Sequence, residues 1–192
     1  MYVIEKDCEN EIIIKNSRFI TILIKINDKD KVNSFLQDIK IKYPKATHYC
    51  YGYIINDYKK SSDDGEPSGT AGIPILNVLE KENITNVLAI VVRYFGGIKL
   101  GAGGLVRAYS KAVREAIKNS KLIKLVNGKK IEINFNYSDE KNINYILKEE
   151  QIIYKDYSDK VTYIVLIKDN ILEKLKNFNY KVLEDTYIEK RS

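Results

Sequence analysis

Apolar residues along this chain recur with two periods, and the switches between them mark its elements. Residues 11–26 carry Ile12, Ile13 and Ile14, then Phe19, Ile20, Ile22, Leu23, Ile24 and Ile26, a β-branched run that reads as strand. Residues 29–41 change to the helical period, with Val32, Phe35, Leu36 and Ile39 on one face. Asn27 or Asp28 is the expected cap and Pro44 the stop. Residues 49–56 return to strand, and 73–81 form a helix with Pro74 in its first turn. Val87, Leu88, Ala89, Ile90, Val91 and Val92 are apolar without interruption, which predicts a strand buried on both faces. A helix is expected over 105–119. Two glycine-punctuated loops, 61–72 and 95–104, separate these elements.

After Asn127-Gly128, read as a turn, the pattern starts afresh. Strand 130–137, helix 139–149, strands 151–157 and 161–168, helix 170–177 and strand 180–188 follow. That order is β-α-β-β-α-β, the ferredoxin-like split βαβ arrangement. The expected class is α+β with two domains, 1–127 and 128–192.

Charge sharpens this division. The net charge of +6 lies in residues 1–127, which hold 20 basic and 14 acidic side chains, whereas 128–192 is neutral with 12 of each. Residues 93–124 carry eight basic side chains against Glu115 alone. Such a patch attracts phosphate backbones or acidic proteins. No apolar run approaches the roughly 20 residues of a membrane span. The first residues lack the basic-then-apolar pattern of a signal peptide, so a cytoplasmic chain is expected. Cys8 and Cys50 form no CxxC and are read as thiols.

On the 105–119 helix, Arg107, Lys111, Arg114 and Lys118 fall within about 40° of one line, opposite Leu105, Ala108, Ala112, Val113 and Ala116. Like charges at this spacing repel, and a polyanionic partner removes the repulsion. A solvated face of a lysine-rich protein is the plainer alternative. Five of the ten glycines precede this helix: Gly96, Gly97, Gly101, Gly103 and Gly104. With Arg93 and Lys99 they suit a bound anion, because glycines admit close backbone approach and a helix start has free N–H groups. Neither a P-loop nor a dinucleotide fingerprint is present. A structural tight turn would also account for the glycines.

The loop at 61–72 places Asp63, Asp64 and Glu66 within four residues. They could hold a hard cation, supply acid–base groups, dock on the basic loop, or simply form a solvated turn. His48 and Cys50 alternate on one strand, so their side chains share a face. A thiolate–imidazole nucleophile is conceivable there, although neighbours on one strand usually lie side by side. No zinc site is expected, for want of ligands, and no cofactor is implied.

The stretches Asp63-Asp64-Gly65-Glu66-Pro67-Ser68-Gly69-Thr70-Ala71-Gly72 and Val91-Val92-Arg93-Tyr94-Phe95-Gly96-Gly97-Ile98-Lys99-Leu100-Gly101-Ala102-Gly103-Gly104-Leu105-Val106-Arg107-Ala108-Tyr109 closely resemble the two signatures of the YigZ/IMPACT family. Lys15-Asn16-Ser17-Arg18-Phe19 and Ala46-Thr47-His48-Tyr49-Cys50 resemble its weaker markers. The resemblance implies a bacterial two-domain form. Its first domain would be like the second domain of a ribosomal small-subunit protein and domain IV of elongation factor G, with helices on one face of the sheet. Its second would be like domain V of that factor. It also implies a role near RNA, the ribosome or translation control, and no agreed catalytic residues. Eukaryotic members carry an extra N-terminal module and tune a translation-control stress kinase by competing for its activator; that module is not expected here, and the kinase link is not carried over. A proline-dipeptidase label carried by some relatives finds no paired-metal ligand set in this sequence. The leading expectation is RNA or ribosome binding, with Tyr94, Phe95 and Tyr109 as stacking aromatics if exposed. The rival is a small-molecule enzyme with residues 63–66 facing the glycine loop, and a third is a protein-interaction adaptor.

Overall fold

In a computed structural model that describes residues 1–190, the chain divides into two compact units, Met1–Ile123 and Lys124–Ser192. The first contains β1 (Tyr2–Ile4), β2 (Cys8–Ile14), β3 (Ser17–Lys25), α1 (Val32–Lys42), β4 (His48–Ile55), β5 (Tyr58–Ser62), α2 (Gly72–Lys81), β6 (Val87–Tyr94) and α3 (Ala102–Lys118). Five strands form an antiparallel sheet in the order β2-β3-β6-β4-β5. The central strand β6 is buried along almost its whole length, as its unbroken apolar run requires.

A strand buried on both faces needs cover on both. Phe19, Leu23, Cys50, Ala89 and Val91 pack with α2 and α3 on one side. Ile20, Ile22, Leu88, Ile90 and Val92 pack with Val32 and Ile39 of α1 on the other. The expectation of helices on a single face is therefore corrected: α1 covers the opposite face, because β3 and β6 present apolar side chains to both. The strand material expected over 11–26 forms a hairpin of β2 and β3. Lys15 (φ 44°) and Asn16 (φ 61°) both adopt left-handed backbone, the geometry of a two-residue primed turn.

The strand β7 (Leu122–Phe135) runs through the boundary between the units. The turn expected at Asn127-Gly128 is absent. Gly128 is in mid-strand, paired to Thr186 on one side and Lys168 on the other. A Cβ there would come within 2.3 Å of Ile188 and 2.5 Å of the Ile167 carbonyl oxygen, so the glycine answers to packing. The second unit continues with α4 (Glu140–Ile146), β8 (Gln151–Tyr157), β9 (Val161–Lys168), α5 (Asp169–Leu175) and β10 (Asn179–Glu189). Its strands lie in the order β10-β7-β9-β8, all antiparallel. Strict alternation along β9 sends Val161, Tyr163, Val165 and Ile167 into a core shared with Ile143 and Leu175.

Candidate functional site

The helix α3 is strongly two-sided. Leu105, Ala108, Ala112, Val113 and Ala116 are buried against the sheet, and their small size allows close approach. Arg107, Lys111, Arg114 and Lys118 are exposed. Lys118 pairs with Glu115 at 2.8 Å; among the described residues the other three take part in no ion pair. Lys118 foremost, with Lys111 and Arg114, holds the Glu115 carboxyl below its usual range.

The glycine-rich loop divides into packed and open positions. A Cβ on Gly96 would lie 2.1 Å from the Asn16 carbonyl carbon, so this glycine seats the loop on the β2–β3 turn. The Gly96 N–H donates to Ser17 Oγ at 3.2 Å. Gly104 packs on Leu100, whereas Gly97 and Gly101 have open space around them and Gly103 meets only Arg107. Gly101 precedes α3 with φ 70°, and no side chain caps the helix. Lys99 is exposed beside it.

Arg93 does not face solvent. It is 4% exposed, and its Nη1 donates to Glu66 Oε1 in a buried ion pair. Its Nη2 reaches Ser17 Oγ at 3.4 Å, and its Nε has no partner among the described residues. The expected phosphate contact by Arg93 is thus corrected, since a buried carboxylate already takes its charge. An unpaired buried donor costs on the order of 1–3 kcal/mol, and a buried ion pair adds little net stability. Features of that kind concentrate at functional sites.

The three carboxylates of the acidic turn separate in role. Asp63 accepts from the N–H groups of Gly69, Ala71 and Gly72 at 2.8–2.9 Å, closing the turn and capping α2. Burial pushes its pKa up, but these three donors outweigh burial and hold it below the usual value. Asp64 accepts from the Tyr49 N–H at 2.7 Å. Both are tied into the architecture of the turn, the structural one of the alternatives open for this loop; among the described residues no group of three or more possible metal ligands occurs. Glu66 alone faces the glycine loop. Besides Arg93, its Oε1 accepts from Tyr109 Oη at 2.8 Å.

His48 and Cys50 do not form a dyad. His48 Nδ1 lies 2.9 Å from the Asp64 carbonyl oxygen, which can only accept, so Nδ1 carries a proton. Its Nε2 lies 3.8 Å from Glu66 Oε2. Cys50 is fully buried, 2.9 Å from the Asp63 carbonyl oxygen and 3.3 Å from Tyr109 Oη. Burial pushes its thiol up to about 12, the opposite of what a nucleophile needs. The two side chains part because the acidic turn offers each its own carbonyl, Asp64 to His48 and Asp63 to Cys50.

Of the three aromatics, only Phe95 is open, at 47% exposure. Tyr109 is fully buried, edge-on to Phe19, and burial raises its pKa, so it cannot stack on a ligand. Tyr94 donates to the Pro44 carbonyl and lies under Arg18. Thr47 and Ser17 carry no chemical signal in the sequence, yet they pin the glycine loop: Thr47 Oγ1 accepts from the Phe95 N–H at 3.0 Å. Their place in the short motifs around Ser17 and Thr47 was the available clue.

The two signature loops meet around a cavity of about 290 Å³. His48, Glu66 and Arg93 contribute its polar lining, with Lys99 and the first turn of α3. Pro67, Phe95, Leu100 and Leu105 make its apolar wall.

The fold and these loops define a two-unit α+β protein whose first unit matches the Impact N-terminal domain over residues 15–117. An IMPACT family member from Bacillus subtilis, YvyE, is 39% identical over 173 residues, covering 88% of this chain and 80% of that protein. The Escherichia coli member YigZ is 41% identical over 110 residues, 55% of this chain and 54% of its own length. A solved structure of a hypothetical protein superposes with a TM-score of 0.67 at 28% identity over 95% of each chain. The chain belongs to the IMPACT family. Among the described residues no helix is long and apolar enough to cross a membrane.

Proposed function

We propose that this chain is an RNA-binding protein of the translation machinery and that the exposed strip of α3 is its contact surface. The observation that supports this reading is the row of Arg107, Lys111 and Arg114. All three are exposed and unpaired among the described residues, on a helix whose other face is packed away. Over about 1.5 Å per residue the row from Arg107 to Arg114 extends about 10 Å, long enough to follow a phosphate backbone. Lys99, Lys118 and the open glycines Gly97, Gly101 and Gly103 extend the surface toward the loop. The ribosomal-protein-like and ferredoxin-like assignments of the two units belong to the same reading. The strand order β10-β7-β9-β8 supports the second of them.

The test is a salt titration of binding to a structured RNA, with wild type and an Arg107→Glu/Lys111→Glu/Arg114→Glu variant. Each phosphate contact contributes about 0.7–0.9 to the slope of log K against log salt. The variant loses about two to three contacts' worth of slope and most of its affinity. An unchanged slope overturns the reading. RNA binding absent at low salt, with capture of an acidic protein by the same strip, favours an adaptor. The cavity favours a second reading, a small-molecule enzyme with Glu66 facing the glycine loop. Turnover of a phosphorylated substrate, abolished by Glu66→Gln in a folded variant, is the result that distinguishes it.

A further inference from the structure

The strip leaves the neighbouring cavity without a role, and the cavity lining carries two acceptors that no donor answers. Glu66 lines it with a side chain only 3% exposed. Arg93 and Tyr109 both donate to Oε1, and Oε2 accepts no hydrogen bond among the described residues. His48 lines the same cavity. Its Nδ1 proton goes to the Asp64 carbonyl, so in the neutral ring Nε2 presents a lone pair. Nε2 is 3.8 Å from Glu66 Oε2, beyond hydrogen-bond length. Two acceptors thus face each other, one of them on a buried carboxylate, and that arrangement costs free energy until a donor answers them. The rest of the lining narrows what the donor can be. Arg93 already answers the Glu66 charge and Lys99 adds a cation, so a cationic ligand is disfavoured. Pro67, Phe95, Leu100 and Leu105 are apolar and suit a flat ring.

We propose that this cavity binds a guanine base, whose N1–H and N2 amino group donate to Glu66 Oε2 and His48 Nε2 and whose O6 accepts from Lys99. Two acceptors and one donor in the lining match the two donors and one acceptor along that edge of the base. Each acceptor then has a donor nitrogen of its own. Adenine and cytosine offer one amino nitrogen for both acceptors, and uracil offers a single N–H. A site built around such hydrogen bonds rejects a base that cannot make them, because its polar atoms are left unpaired. The volume, about 290 Å³, is at the small end of ligand sites and suits a single base. The base belongs either to a free nucleoside or to an unpaired position in RNA, and both present the same edge. Occupation of the cavity does not require the strip to bind RNA.

The experiment is titration of the whole protein, followed by nuclear magnetic resonance, with guanosine, inosine, 1-methylguanosine and adenosine. Guanosine binds. The other three bind about tenfold or more weakly, since inosine lacks the N2 amino group and 1-methylguanosine lacks the N1–H. These comparisons leave the protein unaltered, so they do not depend on a variant that folds. His48→Asn keeps a donor for the Asp64 carbonyl and removes the Nε2 acceptor. It weakens guanosine about tenfold and leaves adenosine unchanged. Nitrogen spectra of the free protein at neutral pH show the His48 proton on Nδ1. Parallel titrations use uridine hexamers carrying one guanosine or one adenosine. Preference for the guanosine hexamer assigns the site to RNA, and guanosine binding with no difference between the hexamers assigns it to the free nucleoside. Absence of guanosine binding up to its solubility, equal binding of adenosine, competition by arginine amide as strong as that by guanosine, or a proton on His48 Nε2 overturns the proposal. If salt-dependent RNA binding persists in that case, the role of the strip survives; guanosine binding without RNA binding removes that role and keeps the cavity's.

Discussion

Arg93 and Glu66, 27 residues apart, meet as a buried ion pair that joins the end of the central strand to the acidic turn. Tyr109 of α3 donates to the same carboxylate oxygen, so three elements converge on one atom. Removing one partner strands a charge in a site that water barely reaches. Arg93→Met or Glu66→Met is expected to cost about 3–5 kcal/mol, and the double variant much less than the sum. Urea unfolding of the three variants checks this; additive losses would show that the pair is not coupled.

Asp63 holds three backbone N–H groups and with them the start of α2. Asp63→Ala is expected to cost about 2 kcal/mol. Because the folded carboxyl lies below its ordinary value, its contribution is complete above the unfolded pKa of about 3.9. It drains away as pH falls through the lower folded value. Acid unfolding curves of wild type and Asp63→Ala should therefore converge at the acid end and separate at neutral pH.

The two thiols should differ in reactivity. Cys50 is fully buried with its thiol pushed up to about 12, first by burial. Cys8 is partly exposed, and burial raises its pKa as well. Iodoacetamide at pH 8, followed by peptide mass spectrometry, should label Cys8 slowly and Cys50 only at the rate of unfolding. Prompt labelling of Cys50 in the folded protein would restore it as a nucleophile.

Gly96 and Gly97 are neighbours with different reasons to be glycine. Gly96→Ala drives a methyl into the Asn16–Ser17 backbone and is expected to cost about 3 kcal/mol or more. Gly97, at φ 84° in open space, is constrained only by its backbone conformation, and Gly97→Ala should cost about 1 kcal/mol. Thermal unfolding of the two variants ranks them, and equal losses would contradict a packing role for Gly96.

The elements with a clear period were legible in the sequence. The unbroken run at 87–92 announced a central strand, and the two-sided pattern of 105–119 announced α3 and its exposed strip. What the sequence did not carry was depth. Arg93 follows six apolar residues, and that continuity was the sign that it too would be buried. Three carboxylates in four residues resemble a charge cluster until the N–H groups that each must answer are known. Those partners arise from a turn whose shape depends on positive φ at Asp64, Gly65 and Gly69. Cover for the second face of the sheet was implicit in β6, which cannot be buried on both sides by helices on one.

Asn-Gly is the dipeptide most prone to deamidation, because the glycine N–H can attack the asparagine side chain when the backbone is free to fold back. In β7, Asn127 and Gly128 are extended, with Tyr187 and Thr186 opposite them on β10 and Lys168 opposite Gly128 on β9. The cyclic intermediate requires a backbone bend that this ladder forbids. The second unit thus carries its own chemical clock, and Asn127 ages no faster than β10 and β9 let go of the strand between them.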